Sequence, residues 1–111
     1  MNRFALAAAL LLVASPALGG ASKFTLVNGT AGALSDVSIR RAGTQDWKTL
    51  GAAAASGAQA PVDFKDEDCA FDLRAKVNGA PITWADINLC GVKSVTLKHD
   101  DSAGPWVDYD H

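Results

Sequence analysis

Six residues with metal-binding side chains occur in two short runs near the C-terminus: His99, Asp100, Asp101, Asp108, Asp110 and His111. Carboxylates that gather from two loops suit Ca²⁺, whereas the two imidazoles suit Zn²⁺, Cu²⁺ or Ni²⁺. Calcium loops usually space their ligands more tightly around a glycine bend, and neither run does so. The alternative interpretation is therefore an acidic, solvated rim that improves solubility.

The residue types and motifs of the sequence argue against a catalytic function. The chain has two histidines, one of them the terminal residue His111, and its serines are scattered among turn residues. It contains no phosphate-cradling glycine loop and no paired zinc spacing. A thiol nucleophile is excluded if both cysteines form a disulfide. The sequence predicts a protein that is not an enzyme and has no cofactor.

Three residues are candidates for contact with a ligand: Trp47, Trp106 and Asp86. Trp47 is the largest side chain in a stretch rich in Gly, Ala and Ser, residues 43–61, and is expected to anchor that loop on a sheet; the alternative is an exposed ligand platform. Two indoles exposed on one face would favour binding, whereas buried indoles would indicate a structural role. Asp86 lies beside a predicted bulge, where side chains are often re-aimed.

The segment from Cys69 to Cys90 predicts a disulfide-closed hairpin. Apolar residues alternate with charged ones between Cys69 and Val77, which is typical of a strand with one buried face. Asn78-Gly79 follows, and both residues tolerate the positive φ of a two-residue hairpin turn. This turn pairs Leu73 with Trp84. The apolar rhythm slips near Ala85 and Asp86, which indicates a bulge that carries Cys90 towards Cys69.

The N-terminus predicts export. A basic start at Arg3 precedes the apolar run of residues 4–14, and small residues precede a cleavage site after Gly19, with a cut after Ala21 as the alternative. The run is short for a membrane-spanning helix, and an uncleaved anchor is the minor alternative. Residues 1–19 are thus a predicted signal peptide and residues 20–111 a single domain in the periplasm or outside the cell. We expect no membrane insertion after cleavage.

The remaining strands are short and separated by turn residues. We expect strands at residues 22–28, 32–42, 62–64, 92–99 and 106–109, and one helical turn at residues 46–50. Arg40-Arg41, the only adjacent basic pair, is interpreted as a solvated strand edge, with an anion site as the alternative. Asn28-Gly29-Thr30 matches the glycosylation pattern but is read as a turn.

Six to seven short strands with almost no helical periodicity predict an all-β fold. The expected architecture is an antiparallel β-sandwich of immunoglobulin-like size, with a small β-barrel as the alternative. The chain carries a formal charge of −2, which becomes one unit more negative when Arg3 is removed. An acidic chain has no electrostatic reason to bind nucleic acid.

Several short motifs together resemble a group of small exported bacterial proteins of uncharacterised function. They are Phe24-x-Leu26-x-Asn28-x-Thr30, Trp47-x-x-Leu50, Cys69-x-Phe71-Asp72-Leu73-Arg74 and Asn88-Leu89-Cys90. The group is expected to space the Trp and Leu one residue further apart, so the register of that loop stays open. The resemblance implies a periplasmic, β-rich domain with one disulfide, and it implies no activity.

These observations favour a non-catalytic interaction or accessory module that binds a protein, a glycan or an envelope component through its loops. The alternative function is metal binding by the acidic, histidine-bearing C-terminal segment.

Overall fold

A computed structural model describes residues 20–111, which form eight β-strands. The strands are β1 Phe24–Asn28, β2 Leu34–Arg41, β3 Lys48–Thr49, β4 Gln59–Val62, β5 Ala70–Val77, β6 Ala80–Asn88, β7 Ser94–Asp100 and β8 Gly104–Asp110. The predicted signal peptide lies outside the described residues. Within residues 20–111, no helix has the length and apolar character needed to cross a bilayer.

The strands form two four-stranded sheets, which confirms the predicted all-β sandwich. Sheet I has the order β4-β1-β7-β8 and sheet II the order β3-β2-β5-β6. All neighbouring strands are antiparallel except β1 and β7, which are parallel. Near the β6 and β8 edges the sheets approach each other, where the backbone N–H of Asn88 donates to the Tyr109 hydroxyl at 3.0 Å.

The core lies between the sheets and is built from alternate residues of the strands. Each sheet supplies fully buried apolar side chains: Phe24, Leu26, Val95 and Leu97 from sheet I, and Val37, Ile39, Phe71, Leu73, Trp84 and Ile87 from sheet II. Trp84 of β6 also donates its indole N–H to the carbonyl of Lys98 in β7, at 2.7 Å. This bond satisfies the one polar group of a buried indole and links the two sheets.

The β5–β6 hairpin has the predicted turn, bulge and disulfide. Asn78 and Gly79 both have positive φ, which an Asn-Gly turn permits. Leu73 pairs with Trp84 as expected, and the register shifts by one residue between Leu73 and Phe71. The shift lets the Cys69 carbonyl accept from the Leu89 N–H, so that Cys90 lies one place beyond the partner of Cys69 instead of two. The Cys69–Cys90 disulfide closes the open end.

Two local predictions are wrong. Residues 46–50 do not form a helical turn, because Lys48 and Thr49 pair with β2 as the short edge strand β3. The strand expected at residues 62–64 lies earlier, at Gln59–Val62, because those residues pair with β1. The Arg40-Arg41 pair lies on an open strand edge, as predicted, because β3 pairs only with Ser38 and Ile39 and leaves this end of β2 without a partner on that side.

A buried polar cluster ties the end of β1 to the loops that join the sheets. Asn28 is fully buried, and its side-chain amide donates to the carbonyls of Gly32 and Ala54, at 2.8 and 3.0 Å. Its side-chain oxygen accepts from both the backbone N–H and the hydroxyl of Thr30. Because both amide hydrogens are donated in the interior, Asn28 is a structural residue and not an accessible glycosylation acceptor.

The structure also bears on the two cleavage sites considered for the predicted signal peptide. Ala21 is buried, and its backbone exchanges two hydrogen bonds with Asp66, at 2.7 and 3.1 Å. Cleavage after Gly19 preserves this pairing, whereas cleavage after Ala21 removes it. The packing of the domain therefore favours the first site.

Candidate functional site

The outer face of sheet II carries a cluster of charged side chains on its two central strands. Arg40 on β2 and Asp72 on β5 are direct cross-strand partners, and Ser38 faces Arg74 in the same ladder. Each of these residues alternates with buried apolar neighbours, so their side chains share the outer face of the sheet. Arg40 and Arg74 are therefore diagonal neighbours on adjacent strands.

Asp72 is a buried carboxylate with its two oxygens satisfied by different partners. Oδ2 accepts from Arg40 Nε at 2.8 Å, and Oδ1 accepts from the backbone N–H of Asp86 at 3.0 Å. Burial acts to raise the pKa of Asp72, but the hydrogen bond from Asp86 and the ion pair with Arg40 outweigh it and hold the pKa below its ordinary value. Asp72 thus stays ionised and fixes Arg40 on the sheet face.

Asp86 lies at the bulge, as predicted, and has a positive φ of 55°. The register shift places two residues of β6, Ala85 and Asp86, opposite Asp72. This conformation aims the Asp86 N–H at the Asp72 carboxylate, while the Asp86 residue itself is exposed. The bulge therefore supports the charged cluster through the backbone of Asp86, and the Asp86 side chain stays a predicted ligand contact.

Trp47 is the aromatic centre of the cluster. The chain just before β3 places its half-buried indole beside the arginines, with the guanidinium carbon of Arg74 4.1 Å and that of Arg40 4.5 Å from the ring centroid. Both distances lie within the range of cation–π attraction. The prediction that Trp47 anchors its loop on a sheet is confirmed, and the anchoring contacts are with cations.

The arginines supply most of the hydrogen-bonding capacity of this surface. A guanidinium that stacks on a ring uses its flat face and leaves its N–H groups free at the edge. Arg40 donates from Nε to Asp72 and from Nη1 to the Gln45 side-chain oxygen at 3.4 Å, whereas Arg74 has no carboxylate within 4.0 Å in the part of the chain that the structure describes. We name Trp47, Arg40 and Arg74 the Trp–Arg cluster.

The other two tryptophans lie away from this cluster. Trp84 is buried, and Trp106 is 43% exposed on β8 of sheet I, where it pairs with Lys98. Trp47 and Trp106 therefore belong to different sheets, and the chain does not present two exposed indoles on one face. Trp106 lacks the guanidinium contacts found at Trp47.

The structure does not bring the six C-terminal metal candidates together. His99 pairs with Pro105 near the turn of the β7–β8 hairpin, whereas Asp110 and His111 lie at its far end. Asp100 caps the turn, since its carboxylate accepts from the hydroxyl and N–H of Ser102 and from the N–H of Ala103, and these bonds lower its pKa. Among residues 20–111, no three His, Cys, Asp or Glu side chains gather as a metal site.

Sequence reasoning identified Trp47 but not its partners. The sequence places Arg40 on a solvated strand edge and gives Arg74 no role in a site, because β2 and β5 pair across residues 42–69, which include β3 and β4. The alternation of both strands was readable from the sequence. The sequence does not reveal the register between β2 and β5, which makes the two arginines neighbours.

Comparisons with protein-family models, with curated proteins and with solved structures find no match to this chain. The resemblance to small exported bacterial proteins stays a prediction. The functional argument therefore depends on the geometry of the Trp–Arg cluster and on the disulfide, which is typical of proteins in oxidising compartments.

Proposed function

We propose that this protein is a non-catalytic, exported binding module that recognises an acidic glycan of the cell envelope. The outer face of sheet II, with the Trp–Arg cluster at its centre, is the binding surface. The observation that carries the proposal is the half-exposed indole of Trp47 with two guanidinium groups within 4.5 Å of its ring centroid.

The cluster suits a sugar that carries a carboxylate. Indole rings offer apolar area to sugar rings, and the guanidinium fork matches the two oxygens of a carboxylate. Arg74 provides donors that no carboxylate of residues 20–111 occupies. Arg40 is held in place by Asp72, so the surface loses little conformational entropy when a ligand binds.

Export supports the same interpretation. The predicted signal peptide would place the domain where envelope polymers occur, and the disulfide would form there. A protein partner with an acidic surface is the other class of ligand that the cluster could recognise, and the test below separates it from a glycan.

The test is a titration of the purified protein with oligogalacturonate, an acidic oligosaccharide, and with a neutral oligosaccharide of the same length. Tryptophan fluorescence and calorimetry report binding. We expect binding of the acidic oligomer alone, and a loss of about fivefold to thirtyfold in affinity in Trp47→Ala and Arg74→Gln, since each contact contributes on the order of 1 to 2 kcal/mol.

The matched controls are Trp106→Ala, which removes the exposed indole of sheet I, and Lys93→Gln, which removes an exposed cation before β7. Both should retain wild-type affinity. Equal binding of the neutral oligomer, or equal losses in the controls and the cluster variants, would contradict the proposal. Absence of glycan binding together with Arg74-dependent capture of an acidic peptide would replace the glycan by a protein ligand.

A further inference from the structure

A second concave site lies beside the sandwich edge that β3 and β4 form. Its lining comes from the end of β2, from residues 44–48, from the segment after β4 and from the start of β5, and includes Arg41, Asp46, Lys48, Phe64, Lys65 and Phe71. The cleft has a volume of about 470 Å³, within the range of about 300–1,000 Å³ that small-molecule sites occupy.

The cleft exists because β3 is shorter than its neighbour. β3 pairs only with Ser38 and Ile39, so β2 continues through Arg40 and Arg41 without an edge partner. In the facing sheet, β4 ends at Val62. The two edges therefore leave the sandwich open at this point, where a longer β3 would have covered it.

The floor of the cleft is apolar. Phe64 is half-buried, and its ring meets that of buried Phe71 edge-on, with the centroids 5.2 Å apart. Ile39, which is also buried, lines the same cavity. An apolar group that enters the cleft would contact this floor and leave water, which is favourable in proportion to the apolar area covered.

The rim carries two free positive charges against one free negative charge. Arg41 lies 2.9 Å from Asp66 and 3.2 Å from Asp68, and Arg40 is paired with Asp72, so both arginines are engaged by carboxylates and these five groups carry one net negative charge. Lys48, Lys65 and Asp46 make no ion pair within 4.0 Å among residues 20–111. Lys48 and Lys65 are thus the two cations of the cleft lining that remain available to an anionic ligand.

We propose that this cleft is a second binding site, specific for a small organic carboxylate with an apolar or aromatic body. The carboxylate lies at the rim, where Lys48 and Lys65 neutralise it, and the apolar body lies against Phe64. The two proposed sites share Arg40, which Asp72 holds, but the groups that bind the ligand here are Lys48, Lys65 and Phe64, none of which belongs to the Trp–Arg cluster.

The experiment uses three probes that separate recognition of the carboxylate from recognition of the apolar body. Cinnamate has both a carboxylate and an apolar body, cinnamyl alcohol lacks the charge, and acetate lacks the apolar body. We titrate isotope-labelled protein with each and follow the backbone amide resonances. We expect cinnamate to bind at least about tenfold more tightly than either other probe, since a loss of about 1.4 kcal/mol corresponds to that factor. The shifts should be confined to residues 39–48 and 64–71.

Three exposed variants test the rim without disturbing the core. The double variant Lys48→Gln, Lys65→Gln should weaken cinnamate binding about tenfold, whereas Asp46→Asn should strengthen it about twofold to threefold, because it removes the repelling carboxylate. Lys93→Gln serves as the control cation and should change nothing.

The proposal is overturned if cinnamate does not bind, if cinnamyl alcohol binds equally well, or if the perturbed amides lie outside the cleft. It is also overturned if the double lysine variant keeps its affinity while its melting temperature is unchanged. None of these outcomes bears on oligogalacturonate binding, and Arg74→Gln, outside the cleft lining, should leave cinnamate affinity unaltered. The two proposals therefore fail independently.

Discussion

The outer faces of the two sheets differ in charge, although both sheets enclose the same core. The central strands of sheet I present Thr25, Val27, Ser94 and Thr96 to the outside, all uncharged and half-buried, followed on β7 by the cation Lys98. The central strands of sheet II present Arg40, Asp72 and Arg74 instead. The contrast places the capacity to recognise an anion on one side of the molecule.

The sheets also differ in backbone regularity. No register shift occurs in the ladders of sheet I, whereas sheet II has one beside Asp36 and one beside Asp86. Both aspartates have positive φ, a conformation that costs non-glycine residues about 1 kcal/mol or more. At Asp86 the conformation supplies a hydrogen bond to the charged cluster. The register shifts and the charged cluster thus occur on the same sheet, sheet II. Sheet I is regular and has a mainly structural role.

The largest effect is expected where sheet I meets the connecting loops. Asn28→Ala removes four hydrogen bonds from the interior and leaves the N–H of Thr30 without its partner. We expect a loss of about 3 to 4 kcal/mol in the free energy of unfolding, from the unsatisfied groups and the cavity. Urea denaturation measures it.

The control is Asn88→Ala in sheet II, where an exposed amide oxygen accepts only from the Cys90 N–H. It should cost less than about 1 kcal/mol, because water can replace the lost partner. Equal losses in the two variants would show that the polar cluster of sheet I is no more important than a surface bond.

The second-largest effect is expected when the Cys69–Cys90 disulfide of sheet II is removed. The disulfide joins residues 21 positions apart, and in the chain-entropy model such a loop contributes about 3 kcal/mol. The double variant Cys69→Ala, Cys90→Ala should lose that amount in urea denaturation. Wild-type protein treated with a reductant should match the variant, and the same reductant should leave the variant unchanged. A loss below about 1 kcal/mol would mean that the bulge and turn hold the hairpin unaided.

The hairpin could be predicted from sequence because its determinants are local. Asn78-Gly79 fixes the turn, and alternation then sets the pairing from Val77 to Leu73 by simple counting. The change of apolar parity near Asp86 revealed the bulge. Such short-range signals account for much of what sequence reasoning got right here.

The binding surfaces could not be predicted, because they depend on pairing between distant segments. Arg40 and Arg74 become neighbours only through the β2–β5 ladder, and the cleft at Phe64 requires β3 and β4 to end early on facing edges. The strand β3, Lys48–Thr49, has just two residues, which are too few to show the alternation of apolar and polar residues that identifies a strand. A predicted helical turn there was wrong because pairing with β2 overrides local propensity.

Acid should destabilise sheet II through Asp72. Its folded-state pKa lies below the reference value of 3.8, so its stabilising contribution is complete above that pH and is lost as the pH falls towards the folded value. Asp72→Asn should cost about 2 kcal/mol at neutral pH, since a charged hydrogen bond to Arg40 is weakened. The difference between wild type and variant should shrink below about pH 4.

Thermal unfolding across this pH range measures the difference, and Asp108→Asn on β8 is the control in sheet I. The control should track wild type at every pH. The pKa of Asp66 is also lowered, chiefly by the N–H of Asp68 and also by Arg41, so the Asp72 variant should keep part of its acid sensitivity. A constant gap between wild type and Asp72→Asn down to pH 2 would show that Asp72 does not titrate as its contacts require.

The smallest expected effect concerns the stability contributed by the Trp–Arg cluster itself. Trp47→Ala should cost about 1 kcal/mol, and a double-mutant cycle with Arg74→Gln should give a coupling energy near 0.5 kcal/mol, because exposed cation–π pairs are weak. The corresponding cycle for Trp106 and Lys98, cross-strand partners on sheet I, should give less, since a lysine beside an exposed indole is more strongly hydrated than a stacked guanidinium. A coupling at Trp106 equal to that at Trp47 would remove the energetic distinction between the two faces. If the Trp47 coupling is small while oligogalacturonate binding falls tenfold in the same variants, the cluster is maintained for recognition and contributes little to folding.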